Sequence, residues 1–177
     1  MIHRKIYFMI MILLVIPVMS GCFSSSSSGV EVPVTTSEEA LEIALEQQGK
    51  PYVWGGRGPE EFDCSGLITW SYKKAVGEER IFSKSGYKMD DATMSDLYHW
   101  NVTHISLEDM EPGDILFFTM EEGEVTHGGL FRKWIDDTEF EFVHASTVHE
   151  EVRVDTWSTE GNNDSSKWLV GTGRFKK

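Results

Sequence analysis

Basic residues are scarce in this chain. Sixteen lysines and arginines stand against 29 aspartates and glutamates in 177 residues, for a formal net charge of -13. So acidic a body is a poor partner for nucleic acid or anionic lipid headgroups, which are held by neutralising phosphate charge. Cysteine is scarcer still: Cys22 and Cys64 are the only two, and neither C-x-x-C nor H-x-x-x-H spacing occurs. No structural zinc centre and no disulfide framework is therefore expected, and nothing calls for a metal or cofactor. Long apolar runs reduce to one, Ile6–Val18, which is short for a membrane-spanning helix and long enough for the core of an export signal. There are no internal repeats. A hydrophobic content of 40% supplies one ordinary core, so one catalytic domain with tails is expected.

His3, Arg4 and Lys5 precede the apolar run and Met19-Ser20-Gly21-Cys22 follows it. Small residues before a cysteine resemble the lipobox of exported lipoproteins, with Met19 where leucine is usual. The expectation is a signal segment over 1–21, a lipidated Cys22 and attachment to the extracytoplasmic face of a membrane. Residues 22–36, serine-rich with Gly29 and Pro33, read as a flexible tether with a typical span of roughly 20 Å, ahead of a domain over 37–177. Lipid on Cys22 leaves Cys64 without a disulfide partner, and a lone thiol in an oxidising compartment usually has a task.

Thr36 and Glu39 fit a capping box, and Ala40, Leu41, Ala44 and Leu45 share one face of a first helix that Gly49 stops. A second helix is expected from Cys64 to about Val76, capped by Asp63 and closed by Gly77. Cys64 then lies in the first turn, where unsatisfied N–H groups and the helix dipole should lower the thiol pKa and cradle an oxyanion. Between Glu78 and Glu111 the pattern is mixed, with a weak helical signal around Asp91–Trp100; His99 and His104 fall here and read as ordinary partly packed histidines. Beyond Pro112-Gly113-Asp114 the period becomes that of strands at Ile115–Met120, Val125–Ile135, Glu139–Ser146, Glu151–Asp155 and Trp168–Phe175. Helices followed by strands make an α+β fold with an antiparallel sheet.

Strand periodicity puts His127 on one face with Val125, Gly129 and Phe131, and His144 on one face with Phe140, Phe142 and Ser146. A turn at Asp136-Asp137 sets Gly129 opposite His144 and His127 opposite Ser146, so the two histidines are one diagonal apart, at roughly 7 Å. Gly128 and Gly129 leave room for a close approach to the strand. A cysteine nucleophile, a histidine base and an orienting histidine suit this pattern; a Cys-His-His metal site is the weaker alternative. Arg57, the one cation near Cys64 in sequence, is a candidate for a substrate carboxylate, against the blander reading of a loop surface residue.

Five blocks in order carry a resemblance: Pro51-Tyr52-Val53-Trp54-Gly55-Gly56, Asp63-Cys64-Ser65-Gly66-Leu67, Pro112 to Phe118, His127-Gly128-Gly129-Leu130-Phe131 and Val143-His144-Ala145-Ser146. Together they resemble the NlpC/P60 family of papain-like cysteine peptidases over roughly Ser37–Phe175. The resemblance implies Cys64 as nucleophile, His127 as base, His144 as the orienting third member and Tyr52 lining the site. It also implies peptidoglycan stem peptides as substrate, often at the bond between γ-D-glutamate and diaminopimelate or lysine. The chain departs from the family pattern in having Gly128 where valine is common, and in lacking a recognisable serine- and glutamine-bearing groove segment. Two other functions fit the same scaffold: a wall-binding lipoprotein without turnover, and an amidase or acyltransferase acting elsewhere.

Overall fold

Two apolar faces have to be covered in the strand-rich half of this chain, because the run Ile115-Leu116-Phe117-Phe118 is buried on both sides. A strand without a polar face belongs in the middle of a sheet packed on both surfaces. The computed structural model describes residues 34–119, 124–161 and 168–176; the signal segment, Cys22, nearly all of the tether and Met120 lie outside the described residues. Those described fall within one compact unit, Pro33–Lys177.

Helix α1 (Thr36–Leu45) and helix α2 (Cys64–Val76) lead the unit. The capping box of α1 lies one residue earlier than the sequence suggests: Thr35 is the cap and Glu38 returns the bond to its backbone N–H. Helix α2 has the expected bounds, with Asp63 accepting from the Gly66 N–H and Gly77 in the left-handed conformation at φ 74°. Next come a hairpin, β1 (Phe82–Lys84) and β2 (Tyr87–Met89), a helical turn α3 (Met94–Asp96) that widens into a π-type turn at Leu97–Asn101, and strand β3 (Val102–Ile105). The sequence pattern had marked only the helical turn. Strands β4 (Ile115–Thr119), β5 (His127–Trp134), β6 (Glu139–Ser146), β7 (Glu151–Ser158) and β8 (Trp168–Phe175) complete the chain. They join β3 in a six-stranded antiparallel sheet of order β3-β8-β4-β5-β6-β7.

One sheet face packs on the helices. Leu67, Ile68 and Tyr72 of α2 meet Ile115, Phe117, Leu130 and Val143. The opposite face holds an aromatic cluster of Phe118, Phe131, Phe140, Phe142 and Trp157, with Met110 and Leu116. Alternation along β4 separates the two cores cleanly.

The β5–β6 register contains a compensation. Ile135 N–H donates to Glu139, so the turn is one residue longer than Asp136-Asp137 alone, and the pairs nearest it are Trp134 with Phe140 and Lys133 with Glu141. A bulge at Arg132 then removes the offset, and Phe131 pairs Phe142 while Leu130 pairs Val143. Beyond the bulge the pairing is that expected from the sequence, so both histidines share a face.

The turn Pro112-Gly113-Asp114 anchors the sheet to the helices. Tyr72 Oη donates to the Gly113 carbonyl at 2.8 Å. Asp114, 0% exposed, accepts from Arg174 of β8 at 3.0 and 2.9 Å. Breaking this bidentate pair leaves a buried carboxylate with backbone donors only. Arg174→Ala is expected to lower unfolding stability by about 2 kcal/mol, measured by denaturant titration; an unchanged midpoint would show that the pair is dispensable.

Candidate active site

The first turn of helix α2 packs directly on the loop before it because Gly66 carries no side chain. A Cβ on Gly66 would fall 1.9 Å from the Gly56 carbonyl oxygen, so the helix touches the Gly55-Gly56 loop at van der Waals limit. Asp63, which caps the helix, also accepts from the Gly55 N–H at 3.0 Å and from the Ser65 hydroxyl at 2.8 Å. One carboxylate thus fixes loop, cap and first turn together.

Cys64, 8% exposed, places its Sγ 3.8 Å from the Thr126 carbonyl oxygen, and the Gly128 N–H is also directed at the sulfur. The thiol is therefore seated against the backbone on both sides of His127. His127 and His144, each 2% exposed, meet through Nε2 and Nδ1 at 2.7 Å. Their rings lie on the sheet face of the aromatic cluster, against Phe118 and Phe142 respectively, while Cys64 approaches from the helix side at the strand's start. Gly129 makes the contact between the rings possible: a Cβ there would sit 2.6 Å from the Val143 carbonyl oxygen and 2.8 Å from the Phe142 ring. At Gly128 the same test finds the Met94 methyl at 2.1 Å, so Met94 occupies the space that a larger residue at 128 would take.

A fourth group extends the row. His144 Nε2 lies 2.9 Å from Asp155 Oδ2, and the other carboxylate oxygen accepts from Arg153 Nε at 2.7 Å. The His144 hydrogen bond above all, with the charge of Arg153 beside it, holds Asp155 down at about 2. Sequence reading includes Asp155 at the end of a strand but does not pair that strand with Glu139–Ser146, and so misses this residue. The signal was present, since Arg153, Asp155 and Trp157 alternate on one face opposite His144, Phe142 and Phe140.

One expectation is corrected. The thiol of Cys64 is not lowered: burial first, then the adjacent Asp63 carboxylate, push it up to about 11, against the downward pull of the Ser65, Cys64 and Gly128 N–H groups. Desolvation of a thiolate outweighs a helix terminus whose own cap is an anion. Arg57, partly exposed, is engaged by two carboxylates of the chain itself. Its Nη1 meets Asp63 at 2.5 Å and its Nε meets Asp91 at 2.7 Å, so it braces the cap and ties the segment before α3 to it. Tyr52 is half-buried beside the site; burial, then the neighbouring Cys64 and Asp63 charges, raise its phenol. His99 and His104 flank the ring of Tyr98, apart from this row, with centroids at 5.1 and 4.5 Å. Cys22 lies outside the described residues.

This combination of sheet, helix-borne cysteine and paired histidines defines a papain-like α+β domain. The sequence profile of the NlpC/P60 family matches residues 49–171, and the chain belongs to that family. The probable endopeptidase YafL of Escherichia coli is 35% identical over 98 residues, which cover 54% of this chain and 35% of YafL. The bifunctional muramidase/DL-endopeptidase CwlT of Bacillus subtilis is 35% identical over 97 residues, 53% of this chain and 26% of CwlT. The chain thus spans about a third or less of the length of these curated relatives. The NlpC/P60 domain of the peptidoglycan hydrolase SagA superposes with a TM-score of 0.56 at 23% identity, covering 80% of this chain and all of that one; the likeness shows the fold.

Alanine in place of a helical glycine ordinarily stabilises by up to about 1 kcal/mol. Gly66→Ala is expected to do the reverse and cost about 3 kcal/mol, read from thermal unfolding, because the carbonyl it meets is backbone. A stabilised Gly66→Ala protein would contradict the close approach.

Proposed function

We propose that this protein is a cysteine endopeptidase that cleaves the stem peptides of peptidoglycan. The observation that carries the reading is the 2.7 Å contact between His127 and His144 beside a thiol seated against the backbone that flanks His127. The endopeptidase and peptidoglycan-hydrolase names of the relatives supply the substrate class.

In this reading Cys64 Sγ attacks the scissile carbonyl while His127 takes the thiol proton. With the thiol held near 11, transfer accompanies attack instead of preceding it, which makes the base indispensable. The N–H groups of Cys64 and Ser65 at the start of α2 receive the developing oxyanion, with Tyr52 lining the site. Collapse breaks the C–N bond, His127 returns the proton to the leaving amine, and a thioester to Cys64 remains. Water, deprotonated by His127, then cleaves that thioester, and the thiol recovers its proton. His144 holds the His127 ring through both steps. The same reading has residues 1–21 removed and Cys22 lipidated, so that the short serine-rich tether keeps the domain close to the extracytoplasmic face of a membrane.

The raised thiol favours one rival, a wall-binding protein without turnover. Incubating purified protein with defined wall fragments, followed by mass spectrometry, separates the two and identifies the bond. Cys64→Ala and His127→Ala are expected to reduce cleavage at least about 10³-fold with folding intact, and His144→Ala about tenfold. Cleavage retained by Cys64→Ala would refute the reading.

A further inference from the structure

We propose that Asp155 is a positioning residue of the reaction, fixing the tautomers of both histidines so that His127 presents an unprotonated Nδ1 to the thiol. The proposal rests on the assignment of Cys64 and His127 as nucleophile and base.

The argument follows the hydrogens along the row. The ionised Asp155 can only accept hydrogen bonds, and Arg153 Nε already donates to its Oδ1. The 2.9 Å contact of its Oδ2 with His144 Nε2 therefore requires the proton on that nitrogen. A neutral His144 with Nε2–H has a lone pair on Nδ1, and Nδ1 is the atom 2.7 Å from His127 Nε2. His127 must then donate from Nε2, which leaves its Nδ1 as the acceptor. Each ring transmits the constraint by one place, and the sense is set at the carboxylate end. When His127 takes the thiol proton, the new imidazolium donates toward a neutral ring backed by an anion. No co-reactant is needed and no bond changes beyond the proton transfer itself.

The charged and titratable groups facing Asp155 are His144 on β6, Arg153 on β7 and His149 in the turn between them, whose Nδ1 is 4.0 Å from Oδ2. Beside Cys64 stand Asp63 and Tyr52. The His144 hydrogen bond and Arg153 keep Asp155 ionised far below neutral pH, so at neutral pH it remains an acceptor for His144 Nε2. In Asp155→Asn the amide can turn its NH₂ toward His144 and reverse both tautomers, which points an N–H of His127 at the thiol.

The test is the pH dependence of Cys64 alkylation by iodoacetamide, followed by peptide mapping in the wild-type chain, Asp155→Asn and Asp155→Glu. It needs no substrate, so its outcome is separate from whether wall fragments are cleaved. Asp155→Asn is expected to slow alkylation at neutral pH about tenfold or more and to move the profile toward higher pH, with Asp155→Glu lying nearer the wild type. Superimposable profiles for wild type and Asp155→Asn would overturn the proposal. Should Asp155→Asn fail to fold, ¹⁵N chemical shifts of the wild-type rings decide it: protonated Nε2 on both neutral histidines is expected, and protonated Nδ1 on His144 would overturn it.

Discussion

The contact on which the rest depends is the one between the first turn of α2 and the opening residues of β5. Seating Cys64 against the backbone around His127 requires a helix to end on a sheet with no side chain intervening. Gly66 against Gly56 removes the obstacle on the loop side, and Gly128 leaves room for Met94 at the start of β5. Asp63 then makes the geometry unique, since its two oxygens take the Gly66 and Gly55 N–H groups, the Ser65 hydroxyl and the Arg57 guanidinium. The same carboxylate raises the thiol. The carboxylate that fixes loop, cap and first turn thus also disfavours the thiolate beside it.

In this acidic protein three partly exposed arginines are bound to carboxylates of the fold. Arg57 joins Asp63 to Asp91, Arg153 holds Asp155, and Arg174 closes on Asp114. Each guanidinium fixes a carboxylate that in turn sets a turn, a cap or a ring, which a planar fork does better than an ammonium point charge. The surface stays anionic while the carboxylates that shape the site are individually neutralised.

Much of this was readable before any coordinates. Helix α2 was exact because both its ends carry strong chemical signals, Asp63 as cap and Gly77 in the left-handed region. The facing of His127 and His144 was readable because strand period is 2, and it survived an imperfect turn only because the bulge at Arg132 restored the register. What could not be read depends on tertiary context. The second core behind the sheet was hidden because an apolar run such as Ile115–Phe118 does not say which face meets helices. The thiol shift needed the burial of Cys64, and the engagement of Arg57 needed Asp91, 34 residues away. Between Glu78 and Glu111 the elements are only three to five residues long, too short for periodicity to register.

The most direct test of the central claim titrates one sulfur against one activity. Purified protein is alkylated to graded extents, the modified fraction of Cys64 is quantified by peptide mapping, and cleavage of peptidoglycan fragments is measured on the same samples. Residual cleavage should fall in direct proportion to unmodified Cys64 and vanish with it. Full modification of Cys64 with cleavage undiminished would contradict the account.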